Sequence, residues 1–179
     1  MSDAERALLR HMLATIAYRG GKTLRGAPEG FGDFRAEGCL NTPVVLLAHM
    51  GDLIEWAQRW CAGAEESYRV SQPLEWPLEV ERFHRVLESF DRYLALDEPV
   101  AAPMERMFHA PIADALTHIG QLALLRRMAG GPVAGEAYRA AEIVAGRVGA
   151  EQAAPGGSLR RARARFGGGR RRAARRCAQ

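Results

Sequence analysis

Several broad classes are excluded by what the chain lacks. It has no run of about eighteen apolar residues, the length a helix needs to cross a bilayer, so no membrane span is expected. Its three cysteines, Cys39, Cys61 and Cys177, are odd in number and far apart, with no CxxC pair. That spacing argues against a disulfide framework and against a cysteine zinc site. The opening residues, Met1 to Arg6, are acidic and polar and carry no basic segment leading into an apolar stretch, which makes the cytoplasm the expected location. There is no GxSxG elbow and no Gly-rich phosphate loop after a strand. Gly20-Gly21-Lys22-Thr23 has the end of such a loop but neither its first glycine nor its strand, and reads as a helix end. No stretch alternates like a β-strand, and no internal repeat is present.

Positive charge is scarce outside one segment. Of 25 basic residues, nine are arginines between Arg160 and Arg176, a stretch without an acid; the 16 before them face 21 acidic residues, a net of −5. The body is mildly acidic and gives no electrostatic support to nucleic-acid binding. After Pro155 the composition shifts to Gly, Arg and Ala, with too little apolar surface to offset ordering entropy, so residues 156–179 are expected to be disordered. Such a tail can attract nucleic acid or acidic partners. The preferred reading is a dispensable extension, of the composition a GC-rich coding strand gives when read past a natural end or in a shifted frame.

What remains, residues 1–155, is long enough for one domain with a real core, and its periodicity is helical. A first helix is predicted from about Asp3 to Leu24, then a loop from Gly26 to Leu40. Thr42 as N-cap and Pro43 in the first turn start a second helix that runs to about Trp60 and stops near Gly63. Val80, Phe83, Leu87, Phe90 and Leu94 mark a third helix within Pro77 to Leu96. A fourth begins near Pro111, after a short turn at Met104 to Phe108, and closes at Gly130-Gly131-Pro132. A shorter fifth is predicted from Glu136 to Gly146. The fold class is therefore all-α, a four-helix bundle whose neighbour order stays open.

The most informative stretch is Ile112 to Leu125. Asp114, His118 and Gln121 fall at i, i+4 and i+7, on one helix face, in a segment with no Lys, Arg or Glu. A carboxylate and an imidazole on an otherwise uncharged helix suggest a buried polar site, since such groups are costly to bury unless paired, hydrogen-bonded or metal-bound. The i, i+4 spacing is also how a helical HExxH motif presents two ligands. A third ligand is expected from another helix, and His49, mid-helix between Val45 and Leu53, is the best candidate. Two imidazoles and one carboxylate would leave coordination positions for water or substrate. Two plainer readings stay open: a wet helix face of Asp114, Thr117, His118 and Gln121, or a core His118–Asp114 pair without metal.

Elsewhere the signals are weaker. His11 reads as a surface or core residue, and His84, beside Arg82, Arg85 and Glu88, as part of a solvated edge. His109 either caps the fourth helix or enters the site from its rim. Trp56, Trp60 and Trp76 read as packing residues, with Trp56, seven after His49, also placed to wall a cavity. Cys61 has no neighbour that would activate it.

The residues Leu8 to Tyr18, Asn41 to Met50 and Asp114 to Arg127 together resemble the DinB-like superfamily of bacterial proteins, which includes damage-inducible DinB proteins and YfiT-type metalloproteins. The resemblance spans roughly residues 5–150, and its specific part is the fourth helix. It implies an antiparallel four-helix bundle with a long crossover connection, holding a divalent metal through three histidines. On that pattern His49 matches the second-helix ligand and His118 the last one, while Asp114 stands where most members have histidine. It further implies thiol transfer to electrophiles or thiol-assisted isomerisation of small acids, and no DNA binding. The expectation is a metal-binding bundle with His49, Asp114 and His118 as ligands and Gln121 orienting one of them. The expected cofactors are zinc or nickel and a low-molecular-weight thiol. The activity would be thiol S-transfer or hydrolysis on a small molecule, in a stress-response setting. The rival is a non-catalytic, dimeric ligand-binding bundle with a hydrogen-bonded polar core.

Overall fold

The computed structural model describes residues 1–64, 67–96 and 98–156. The expected disorder of the Arg-rich tail falls, from residue 157 onward, outside the described residues. Helix α1 spans Asp3–Leu24 and is opened by a reciprocal cap: the Glu5 amide donates to the Ser2 hydroxyl at 3.3 Å, and the Ser2 amide donates to the Glu5 carboxylate at 2.7 Å. Helix α2, Pro43–Cys61, follows Thr42 with proline in its first turn. Thr42 holds the N-cap position without a side-chain cap, and its carbonyl accepts the first helical bond from the Leu46 amide at 3.1 Å. Helix α3 is Trp76–Ala95. A short helix α4, Met104–Met107, runs through a π-helical turn at Phe108–Ile112 into α5, Ala113–Met128. Gly130, at φ +82°, ends α5 in the left-handed conformation that glycine adopts without strain, and the Gly131 amide returns to the Arg126 carbonyl at 2.9 Å.

Among the described residues there is no β-strand, and no helix is long and apolar enough to cross a membrane. The four long helices pack in pairs: α1 against α3 and α5, and α2 against the same two. The order left open by the loop lengths is therefore α1, α3, α2, α5 around the core. Leu13 and Ile16 of α1, Met50 and Ile54 of α2, Phe83 and Phe90 of α3, and Leu122 of α5 are all buried in that core. Gly20, inside α1, lies against α3: a Cβ there would sit 2.7 Å from the Phe83 ring. The cost of a helical glycine is offset by the close approach of the buried Phe83 ring that it permits. The Gly20-to-Thr23 segment is thus a packing surface within α1, in line with its reading as a helix end.

Two arginines tie helix ends and loops together. Arg126 of α5 donates to the carbonyls of Thr23 at 2.6 Å and of Arg25, Gly26 and Gly131 at 2.9 Å each. It thereby satisfies acceptors left without partners where α1 stops. Arg82 of α3 is buried among carboxylates: Asp52 at 2.5 Å, Glu79 at 3.1 Å and Glu55 at 3.2 Å. Burial alone would lower the Arg82 guanidinium, but its bonds to Asp52 and Glu55 outweigh that and hold its pKa above the ordinary value. The same network holds the segment between α2 and α3. The Ser71 amide and hydroxyl donate to Asp52 at 2.9 and 2.8 Å, Arg82 donates to the Ser71 hydroxyl at 2.9 Å, and the Leu74 amide donates to Glu79 at 3.0 Å.

Two expectations are corrected. The predicted helix from Glu136 to Gly146 does not form; only a 3₁₀ turn at Tyr138–Ala140 does. The segment is shorter than the roughly 12–15 residues a helix needs to hold without tertiary support. It also divides: residues 143–152 belong to the unit that contains the helices, and residues 134–142 to a second unit, with 153–156. Within that second unit the Gly156 amide donates to Glu136 at 2.7 Å. His84 is not on a solvated edge. It is buried, with its Nδ1 3.4 Å from the Val148 carbonyl, while Arg82 turns inward to its own carboxylates.

Removing the Arg82 charge leaves buried carboxylates unpaired, so Arg82→Met is expected to cost about 3–5 kcal/mol, measured by urea unfolding. His84 supplies a pH test. Burial lowers its pKa below the ordinary 6.5, only partly countered by the Val148 carbonyl. The unfolded chain then binds a proton that the folded chain resists, so stability falls as pH drops below 6.5 toward the folded value. His84→Gln is expected to flatten the slope of unfolding free energy against pH in that window.

Candidate metal centre

His49 lies in α2 and Asp114 and His118 in α5, two helices that pack directly. The i, i+4 spacing stacks Asp114 and His118 one turn apart, and the packing brings His49 across from them. The three groups meet. Asp114 uses both oxygens: Oδ2 is 3.4 Å from His49 Nε2, and Oδ1 is 3.2 Å from His118 Nε2. The imidazole centroids are 4.8 Å apart with planes at 82°. One ligand atom from each residue lies within 4.8 Å of the other two, so the group can hold a single metal ion.

The outer nitrogens are also engaged. His118 Nδ1 is 2.8 Å from Gln121 Oε1, and His49 Nδ1 is 2.5 Å from the Tyr68 hydroxyl. A ring whose Nδ1–H donates outward presents the Nε2 lone pair inward, the tautomer that binds a metal. Gln121 Oε1, an acceptor, favours that tautomer for His118, while the Tyr68 hydroxyl can pair with either tautomer of His49. Ligands about 2.0–2.1 Å from a shared zinc are about 2.8–3.4 Å apart at octahedral to tetrahedral angles, so the three ligand atoms, up to 4.8 Å apart here, would draw together around an ion.

Tyr68 was not singled out from sequence. It lies in the segment held by Asp52, Ser71 and Arg82, and nothing in its spacing ties it to His49. Burial, then the nearby carboxylates of Asp52 and Asp114, push its hydroxyl up to about 12, partly opposed by Arg82. The phenol keeps its proton at neutral pH and serves His49 as a neutral hydrogen-bond partner.

The site is less enclosed than the lack of Lys, Arg and Glu between Ile112 and Leu125 suggested. The side chains of His118, His49 and Asp114 are 15%, 34% and 44% exposed. Asp114 thus stands at a rim, open to small molecules. A cleft of about 460 Å³ opens on one side, lined by His49 and Asp114 with Leu53, Trp56, Tyr68, His109 and Thr117. A second, of about 430 Å³, opens on the other and is lined by His49 and His118 with Asn41, Asp52, Ser71 and Gln72. His109 sits in the π-helical turn, exposed, and so takes the rim position rather than a cap. His11 is exposed on α1 and is not brought to the site. Cys61 is buried beside Met107, its sulfur 3.7 Å from the thioether, and burial pushes its thiol up to about 12.

Compared with models of protein families, with curated proteins and with solved structures, the chain matches none of them.

Gln121 is exposed, so Gln121→Ala is expected to leave the melting temperature nearly unchanged. Its effect falls on the His118 tautomer, and zinc affinity is expected to drop about 10-fold or more, read by competition against a chromogenic chelator.

Proposed function

We propose that the chain is a divalent-metal-binding bundle of the DinB-like type, with zinc or nickel held by His49, Asp114 and His118. The observation that carries this reading is the approach of one carboxylate and two imidazoles, from two helices, each imidazole tethered by its outer nitrogen. The order of the four long helices, with α1 and α2 across the core from each other, supports a bundle with a long crossover connection. Aspartate in place of a third histidine keeps a ligand type suited to such ions and adds a negative charge to the donor set.

A divalent metal there supplies Lewis acidity, which acidifies a bound thiol or water or polarises a carbonyl. The chain's own residues do the remaining work. Gln121 and Tyr68 fix the two rings, and the clefts on either side admit small molecules to the exposed edge of the donor set. Asp114, exposed on one flank, is also placed to accept a proton from an incoming thiol or water. The reaction class that fits is transfer of a thiol to an electrophile, or hydrolysis, on a small substrate.

One observation favours a second reading. Asp114 already lies within pairing distance of both rings, so three polar groups can satisfy one another without a metal, as a structural element of a binding protein.

The two separate cleanly. On the proposed function, protein purified without a histidine tag and dialysed against zinc carries one equivalent of metal, and His118→Ala loses it with little change in the melting temperature of the metal-free protein. Zinc content near zero in the unaltered protein, with a large loss of metal-free stability in His118→Ala, would establish the structural reading instead.

A further inference from the structure

Of the two clefts that flank the metal ligands, one carries an aromatic wall and the other does not, and the difference bears on what binds. The second is a mixed surface, in which Asn41, Asp52, Ser71 and Gln72 alternate with Val45, Val70 and Pro73, and it contains no aromatic ring other than the two imidazoles. The first has an aromatic wall facing small residues. Trp56 lies two helical turns after His49 on the same face of α2, and helical side chains lean toward the N-terminus, which brings its indole back toward the imidazole. Its ring is held in place on two sides: it stacks on Trp60 at 5.4 Å and 19°, and meets Tyr68 edge-on at 5.9 Å and 88°. Tyr68 in turn meets His49 edge-on at 5.8 Å. Across from this wall stand Ala110 and Ala113, which leave the space open. Among the described residues that line this cleft there is no lysine or arginine. An anionic group away from the His–Asp–His end would find no permanent cation there, only the imidazole of His109.

From this juxtaposition we propose that the cleft takes a small molecule with a flat, uncharged aromatic body and a single oxygen or sulfur donor group, the body lying along Trp56 and Tyr68 and the donor reaching His49 and Asp114. Trp56 is the residue that sets the selectivity. The inference rests on the metal reading of the same site and adds a substrate class to it. The rise of about 1.5 Å per residue places the Trp56 backbone about 10 Å along α2 from that of His49, a span suited to one ring and its donor group.

The test uses zinc-loaded protein and hydroxamates that share one metal-binding head and differ in the body. Zinc is quantified separately in every sample. Benzohydroxamate is expected to bind about tenfold or more tighter than acetohydroxamate, by calorimetry, from ring burial and aromatic contact. Trp56→Leu keeps bulk in the wall but removes the ring. It is expected to narrow that ratio to about threefold or less, with zinc stoichiometry unchanged. Ala113→Leu fills the cleft from the opposite side and is expected to weaken benzohydroxamate while sparing acetohydroxamate. A carboxylate added to the far end of the benzohydroxamate ring is expected to weaken binding. Stoichiometric zinc with equal affinity for the two hydroxamates, or a ratio unmoved by both substitutions, overturns the substrate class and leaves the metal reading standing. A zinc content near zero overturns both.

Discussion

The contact between Arg82 and Asp52 is the constraint on which the rest of the site depends. It joins α3 to α2 in the interior, where a lone guanidinium or carboxylate would be untenable, and its second duty is to the chain between them. Asp52 is one helical turn beyond His49. By accepting from the amide and hydroxyl of Ser71, it pulls the segment of residues 67–75 back over α2, so that Tyr68 arrives above the imidazole. The outer support of His49 is therefore a product of a buried ion network rather than of the loop's own preferences. The donor set is positioned from two independent directions: His118 by a residue of its own helix, and His49 through a neighbouring helix and the segment that follows its own.

What could be read from the chain, and what could not, divides along the same line. Local signals succeeded. Thr42-Pro43 marks the start of α2, Gly130 the end of α5, and the i, i+4 spacing puts Asp114 and His118 on a shared face whatever the tertiary context. His49 was legible only as a partner for Asp114 and His118: it sits mid-helix at the boundary of an apolar face, where a side chain can point inward, but such a histidine taken alone is more often structural than a ligand. Tyr68 was not, because its place depends on Asp52 and Arg82, and no short-range pattern encodes that closure. His84 was misread for a related reason. Its charged neighbours suggested solvent, but Arg82 is turned inward to carboxylates of two helices, and His84, on another side of α3, is covered by the distant segment that carries Val148. The segment from Glu136 to Gly146 has helix-compatible residues but lacks the length to hold a helix unaided, and it is shared between two units.

The exposure of the site changes what the scarcity of charge around it meant. Ile112 to Leu125 lacks long charged side chains, which suggested burial. Yet Asp114 is almost half exposed, and Thr117 and Gln121 are exposed outright. The missing lysines and glutamates instead keep the mouth of the cleft clear. Long flexible side chains there would cover the donor set or compete for it. The absence of charge is thus a property of an opening rather than of a core.

The π-helical turn at Phe108–Ile112 has a geometric consequence of its own. Met107 and Asp114 are seven residues apart, a spacing that regular α-helix places on one stripe. Here Met107 is sealed in the core beside Cys61, while Asp114 stands on the rim facing α2. One surplus residue in the turn swings the following helix by about a quarter revolution, so the rod meets α2 twice, with Met107 buried at the C-terminal end of α2 and Asp114 at its more exposed edge beside His49. Excision of a single residue between Phe108 and Ile112 would restore the regular phase. Either Met107 would then leave the interior, or the acid and its partner imidazole would rotate out of reach of His49. The placement of Asp114 and His118 opposite His49 therefore depends on a phase offset, a local irregularity that repacking of the hydrophobic layers cannot replace.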